Sequence, residues 1–339
     1  MSIQIELQAT IEDMVQKGKG ILAADESNPT IAKRFKAIGV ESTQESRRSW
    51  RSLLLSTPNL GVYISGVILF EETLAQKADD GTPLPQLAET HGIVPGIKVD
   101  KGTIALVNAP GDLITQGLDG LADRLQVYKQ QGARFAKWRE VYPIGKHNPK
   151  WLGVEANAEV LARYAAICQS VGIVPIVEPE VLIDGDHTIE RCFEVIERVH
   201  RAVYAALYRY GVTLEHTLLK PSMVTPGKEY ATKATPAEVA ENTVRVLRRS
   251  VPAAVPSINF LSGGQSDEEA TANLNAMNRM YPGQPWELSF SYGRALQQPA
   301  LHAWQGKAEN RDAAQAALYK RAQLNGEARC GTYTLEMEK

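Results

Sequence analysis

Short apolar runs bounded by turn-forming residues recur along the whole chain, at residues 20–25, 62–70, 96–99, 134–141, 173–178, 217–220, 257–261 and 287–291. Runs of this length predict strands buried on both faces, since a helix needs about ten residues or more. The stretches between them carry helix punctuation. Ser42-Thr43-Gln44-Glu45, Thr235-Pro236-Ala237-Glu238 and Ser266-Asp267-Glu268-Glu269 each set a hydroxyl ahead of an acid, groups that satisfy the free N–H of a first turn, and Pro236 suits the first helical position. Gly132, Gly172 and Gly211 directly follow helical patterns, as a left-handed C-terminal cap does. Val160, Leu161, Tyr164, Ile167, Cys168 and Val171 trace one helical face. Strand and helix alternate eight times, which predicts an α/β fold, a single (β/α)8 TIM barrel. A doubly wound open sheet is the alternative, but no G-x-G-x-x-G follows the first run and no Pro/Gly/Ser-rich linker halves the chain. Residues 1–18, with Leu7, Ile11, Met14 and Val15, predict an amphipathic helix ahead of the first strand. Residues 1–325 are assigned to one barrel domain and residues 326–339 to a short polar tail without a helical period.

Composition narrows the function. At 339 residues the chain could hold two domains, but an α/β barrel reaches this size as one unit. Hydrophobic residues at 44% and charged residues at 22% supply an ordinary core and exclude wholesale disorder. The 37 basic and 39 acidic side chains leave a net charge of −2, with no basic excess to draw the chain onto nucleic acid or an anionic membrane. Any anionic ligand must then be held by locally placed cations. Cys168, Cys192 and Cys330 form no C-x-x-C pair, so reduced thiols and a cytoplasmic setting are expected. The first twenty residues carry Glu6, Glu12 and Asp13 and read as neither signal nor transit peptide. No apolar run approaches the roughly 18 residues that cross a bilayer.

The candidate chemistry lies where the apolar runs end. In a barrel of this type function gathers at the C-terminal ends of the strands. There the sequence places Asp25, Lys98, Lys137 with Arg139, Glu178 with Glu180, and Lys220. Isolated charges would be expelled from a barrel interior, so converging ones must pair with each other or meet a polar ligand. Structural salt bridges account for any one of them; the full set describes an acid/base site in a cationic pocket. Two later loops, Leu261-Ser262-Gly263-Gly264-Gln265 and Ser291-Tyr292-Gly293-Arg294, follow the last two strands with small residues leading into helices. Such loops let backbone N–H groups close on a phosphate. A lysine at a strand end can attack a carbonyl to form an imine that acts as an electron sink. For Lys220 an apolar setting and neighbouring cations would favour the neutral amine, with Glu178 or Glu180 open as proton shuttle. His91, His147, His187, His200, His216 and His302 form no H-E-x-x-H and no H-x-H pair, and Asp184-Gly185-Asp186-His187 reads as a loop turn, so neither metal nor cofactor is expected.

These residues, in this order, closely resemble class I (Schiff-base) fructose-bisphosphate aldolases. The motifs are Gly18-Lys19-Gly20-Ile21-Leu22-Ala23-Ala24-Asp25-Glu26-Ser27, Gly66-Val67-Ile68-Leu69-Phe70, Gly96-Ile97-Lys98-Val99-Asp100-Lys101-Gly102, Ala136-Lys137-Trp138-Arg139, Val174-Pro175-Ile176-Val177-Glu178-Pro179-Glu180, Leu218-Leu219-Lys220-Pro221, Phe260-Leu261-Ser262-Gly263-Gly264-Gln265 and Phe290-Ser291-Tyr292-Gly293-Arg294-Ala295-Leu296. The resemblance implies a metal-independent aldehyde-lyase that cleaves fructose 1,6-bisphosphate to dihydroxyacetone phosphate and glyceraldehyde 3-phosphate, with sedoheptulose 1,7-bisphosphate as a second substrate. It implies Lys220 as the imine-forming lysine, Glu178 as its acid/base, Asp25 as the base for the carbon-4 hydroxyl, Lys137 as its electrostatic support and Glu180 as a positioning group. One phosphate would rest on Ser262, Gly263, Ser291, Gly293 and Arg294; the other would meet Lys98, Arg139, Ser27 and Thr30, with Arg34 as a further substrate-site arginine. A cytoplasmic homotetramer is the implied state.

Two departures stand out. Animal and plant members end in a tyrosine that assists proton exchange on the enamine, where this sequence reads Glu336-Met337-Glu338-Lys339, and Tyr333 matches an earlier tyrosine of the family. Asn28-Pro29-Thr30 occupies a loop the family often fills with smaller residues. The competing readings are another Schiff-base aldolase or transaldolase, which two phosphate regions argue against, and a non-catalytic binding role on the same fold.

Overall fold

Each of the eight expected runs becomes one strand in the computed structural model, which describes residues 2–339. They are β1 (Gly20–Ala24), β2 (Ile64–Leu69), β3 (Val94–Lys98), β4 (Phe135–Tyr142), β5 (Val174–Val181), β6 (Leu218–Leu219), β7 (Ser257–Phe260) and β8 (Glu287–Tyr292). All pair in parallel and close into a barrel of order β1-β8-β7-β6-β5-β4-β3-β2. The β6 strand is short because Pro221 follows Lys220 and offers no N–H, but the Lys220 N–H still reaches the Val177 carbonyl at 2.8 Å.

The punctuation holds in detail. Thr235 and Ser266 cap the helices Pro236–Ser250 and Asp267–Met280, each with its Glu three residues on closing a capping box. At the first signal the cap is Thr43, and Ser46 rather than Glu45 completes the box. Gly132, Gly172 and Gly211 take φ of +102°, +75° and +65° after their helices. The N-terminal helix runs Ile3–Met14.

Strand alternation splits the buried apolar side chains in two. One set lies between the sheet and its helices. The other fills the lower barrel interior, where Ile21, Val94, Phe135, Val174, Ile176 and Leu218 are sealed from below by Leu7, Ile11 and Met14 of the N-terminal helix. Gly96 is required there: a Cβ at that position would lie 2.3 Å from the Phe135 ring.

Two features differ from expectation. A two-stranded antiparallel hairpin, Thr103–Ala105 with Leu113–Thr115, stands between β3 and β4; strands of three residues on the surface carry no readable alternation. The helix Arg311–Cys330 runs through residues 326–330, and a 3₁₀ turn, Leu335–Glu338, follows it. The polar composition conceals this helix because Arg329 buries, as do Asn325 and Arg321 one and two turns earlier, all under 7% exposed. Gly326 packs so closely that a Cβ would sit 2.6 Å from the Tyr63 ring. The final turn is clamped as well, with Glu338 accepting from Arg321 at 2.6 Å and from the Tyr333 hydroxyl at 2.8 Å.

Candidate active site

Above the apolar plug the inward positions of the same strands turn ionic. Alternation that sends Phe135 into the plug sends Lys137 and Arg139 upward, and that of β5 does the same for Glu178 and Glu180. Lys220 leaves the end of β6 and Asp25 the end of β1. Lys137 Nζ lies 2.8 Å from Asp25 Oδ2 and 3.0 Å from Glu178 Oε2, while Glu178 Oε1 lies 3.0 Å from Lys220 Nζ. The four side chains form one chain of alternating charge, and three of them (Lys137, Glu178 and Lys220) are under 5% exposed. They form the floor of a cavity of about 740 Å³, a size that suits a small metabolite.

The field at this floor is set by mutual pairing. Burial pushes the Asp25 carboxyl up, but Lys137 and Lys220 override it and hold the group well below the usual carboxylate range. Glu178 behaves alike, with Lys137, Lys220 and Arg139 outweighing its burial. Lys137 loses water and gains Asp25, Glu178 and Asp100, which together raise it above an ordinary lysine. Its role in the free site is that of a fixed cation. Arg139 is raised in the same way by Glu180, to which its Nε donates.

Two rims carry groups suited to phosphate. On one, Gly263 and Gly264 adopt φ of +55° and +103°, conformations that turn successive N–H groups outward and favour glycine. Gly293 precedes the helix Arg294–Trp304, whose start has no side-chain cap, leaving its first N–H groups free for an anion. The neighbouring helix is different: Ser266 caps it and Asp267, Glu268 and Glu269 fill its first turn, so the anion site belongs to Gly293. Ser291 places a buried hydroxyl without a partner on this side, and Arg294 is tethered by donating to the Gln265 carbonyl. On the other rim, Lys98 pairs with Asp100 at 2.5 Å, and the Ser27 and Thr30 hydroxyls meet at 3.1 Å at the start of the helix Asn28–Ala37.

All fifteen residues picked from the sequence line this cavity: Asp25, Ser27, Thr30, Arg34, Lys98, Lys137, Arg139, Glu178, Glu180, Lys220, Ser262, Gly263, Ser291, Gly293 and Arg294. Charged residues not chosen also line it, among them Glu26, Asp100 and Lys228. Glu26 is buried and ion-paired with both Arg34 and Arg51, the latter at 2.6 Å, and Gln297 donates to it at 2.8 Å. Asp100 holds Lys98 and lies 4.0 Å from Lys137. Both sat inside quoted motifs beside a chosen charge, and that adjacency was the available signal. Lys228 lines the cavity from a loop with no strand-end signature. Residues 335–339 contribute nothing to its walls.

Known proteins are similar to this chain over nearly its whole length. Residues 6–339 match the family model described as fructose-bisphosphate aldolase class-I. The chain is 57% identical over 332 residues to a fructose-bisphosphate aldolase of Drosophila melanogaster, covering 98% of this chain and 92% of that protein. It is 56% identical over 328 residues to the cytosolic fructose-bisphosphate aldolase 6 of Arabidopsis thaliana, covering 97% and 91%, and 54% identical to a probable class 1 enzyme of Xanthomonas campestris, covering 98% and 99%. A solved aldolase structure from Plasmodium falciparum, in complex with TRAP and a small-molecule inhibitor, superposes with a TM-score of 0.96 at 52% identity, covering 98% of this chain and 96% of that one. With fold, floor and rims already in place, these matches make the chain a member of the class I fructose-bisphosphate aldolase family, the metal-independent aldehyde-lyases.

Proposed function

We propose that the chain cleaves fructose 1,6-bisphosphate reversibly through an imine on Lys220, with sedoheptulose 1,7-bisphosphate as a second substrate. The observation that carries this reading is the charge chain Lys220, Glu178, Lys137, Asp25, with successive separations of 3.0, 3.0 and 2.8 Å. Glu178 takes a proton from Lys220, and the freed amine attacks the ketone carbon of the open-chain sugar. The same carboxyl returns the proton to the leaving hydroxyl of the carbinolamine, so water departs and a protonated imine forms. Asp25, an anion in the free site, removes the proton from the hydroxyl on carbon 4. The carbon 3 to carbon 4 bonding pair moves toward the imine nitrogen and glyceraldehyde 3-phosphate leaves. Protonation of the enamine at carbon 3 and hydrolysis then release dihydroxyacetone phosphate and restore Lys220.

Lys137 keeps Asp25 ionised while its partner carboxyl exchanges protons, and Glu180 holds Arg139 against the cavity wall. The rim of Ser262, Gly263, Ser291, Gly293 and Arg294 takes one phosphate; Lys98, Arg139, Ser27 and Thr30 take the other, with Arg34 beside Gly293. A phosphate at each rim also offsets part of the cationic field on Glu178, which favours the protonated form it needs as an acid. A cytoplasmic homotetramer is the proposed state; no helix among the described residues is long and apolar enough to cross a membrane. Borohydride reduction with dihydroxyacetone phosphate in the presence of a chelator, followed by peptide mass mapping, tests the mechanism. The expected result is an adduct on Lys220 with chelator-insensitive cleavage; an adduct elsewhere, or none, overturns the imine.

A further inference from the structure

Strand β4 has a second face. Trp138, Glu140 and Tyr142 alternate with the pocket residues Lys137 and Arg139 and point away from the barrel axis. Glu140 is fully buried, yet no ion pair reaches it among the described residues. Its Oε1 accepts from the Trp138 indole N–H at 2.8 Å and its Oε2 from the backbone N–H of Thr115 at 3.2 Å. Thr115 belongs to the surface hairpin, so this one carboxyl ties the hairpin to the strand.

The tie continues into the cavity wall. The Thr115 hydroxyl donates to the Arg139 carbonyl at 2.8 Å. The Arg139 N–H points to Asp100 Oδ2 at 3.4 Å, and Asp100 Oδ1 holds Lys98. The hairpin base also pins the Lys101 and Gly102 backbone through Gln116. Lys98, Lys101, Gly102 and Arg139 all line the cavity.

We propose that Glu140 is a positioning residue for the Lys98 and Arg139 rim: its buried carboxyl fastens the 103–115 hairpin to β4 through the Trp138 indole and Thr115 backbone N–H groups. A charge on it would meet two neutral N–H donors and no cation, so ionisation draws water toward the carboxyl and loosens the rim. From β4 it meets Trp138 and Tyr142, and from the hairpin Thr115. The helix Trp151–Ser170 contributes Asn157, which donates to the Leu113 carbonyl at 2.8 Å. The ionised groups felt by this cluster are acids, Asp100 and, at Tyr142, Glu155. Burial, with a smaller push from Asp100, raises the Glu140 carboxyl to about 8 despite its two donors. Tyr142 Oη on the same strand and Asn157 Oδ1 on the helix that holds Leu113 are buried without a hydrogen-bond partner.

The kinetic part of this inference rests on the aldolase reading; two readouts do not. Wild type and Glu140→Gln are compared from about pH 7 to pH 9.5 by cleavage kinetics, by calorimetric titration with inorganic phosphate and by infrared difference spectroscopy. For the wild type, KM for fructose 1,6-bisphosphate is expected to rise about threefold to tenfold across this range while kcat changes by less than about twofold. Glutamine keeps the Trp138 bond through its carbonyl and gives up the longer bond from Thr115. Its KM should therefore start within about threefold of wild type at neutral pH and then stay flat. Phosphate affinity, taken as the ratio of the two proteins at each pH to remove the ligand's own titration, should follow the same pattern. The infrared difference should show a protonated carboxyl band in the wild type that disappears as pH rises through the Glu140 midpoint. A variant that tracks the wild-type rise in KM, or a carboxylate already ionised at neutral pH, overturns the proposal. Absence of cleavage with the infrared and phosphate results intact overturns the aldolase reading and supports the role of Glu140.

Discussion

Strand β4 places Phe135 in the lower half of the barrel interior and Lys137 and Arg139 in the upper half; β5 places Val174 and Ile176 below and Glu178 and Glu180 above. Below, each side chain is stabilised by apolar area alone, and a loss is felt as a cavity. Above, each charge is tolerated only through its neighbours, so deleting one strands another. The same backbone therefore separates two tasks by height. Within the barrel interior, apolar stabilisation is concentrated around Phe135 and the N-terminal helix, and the upper half spends part of it to hold a preorganised ionic floor.

This contrast has graded consequences. Lys220→Met should leave a folded protein while lowering kcat for fructose 1,6-bisphosphate cleavage by about 10⁴-fold or more, measured by steady-state kinetics and circular dichroism. Residual activity within about tenfold of wild type would show that the imine is not formed there. Phe135→Ala is the converse case, expected to cost about 3–5 kcal/mol in urea unfolding with KM little changed. A large KM effect would mean that plug and floor are not independent. Lys137→Met should affect both properties, costing about 3–5 kcal/mol because Asp25 and Glu178 lose their shared cation and lowering kcat as well.

Arg294→Ala should act on affinity, raising KM about 10-fold to 100-fold through loss of a charge-assisted phosphate contact, with a smaller change in kcat. The pH dependence of unfolding gives the smallest effect and separates the carboxyls by sign. Asp25, Glu26 and Glu178 are lowered in the fold. The stability they supply is present above the ordinary carboxylate range and is lost as acid protonates them in the folded state. Glu140 is raised to about 8. Its contribution is full below the ordinary glutamate value, declines as pH rises from there and is lost once pH passes that midpoint, so Glu140→Gln should flatten the fall in melting temperature across that window.

How far the sequence could be read follows the same division. Parallel strands buried on both faces announce themselves as unbroken apolar runs, and a lone charge at the end of such a run is conspicuous. Asp25, Lys98, Lys137, Glu178 and Lys220 were found in that way, and one cavity gathers them. Which of two adjacent charges faces inward was not legible, because the phase of the alternation is fixed by barrel closure. Glu26, Asp100 and Glu140 were passed over for that reason, and Glu140 turned out to face the opposite way from Arg139. Lys228 comes from a loop, where no period exists. The end of the last helix was hidden by an inversion of the usual rule, since Arg321, Asn325 and Arg329 are inside.

The N-terminal helix that seals the barrel floor also sets a timing problem for synthesis. Leu7, Ile11 and Met14 leave the ribosome well ahead of their partners Phe135, Val174 and Leu218. At roughly 5–20 residues per second, the wait for Leu218 is on the order of 10–40 s. Through that interval the nascent chain displays an apolar stripe with nowhere to dock. The last of these partners, Leu218, comes with β6, and the ring closes only when β8 pairs with β1, so the helix is translated ahead of the strands it seals and packed among the last.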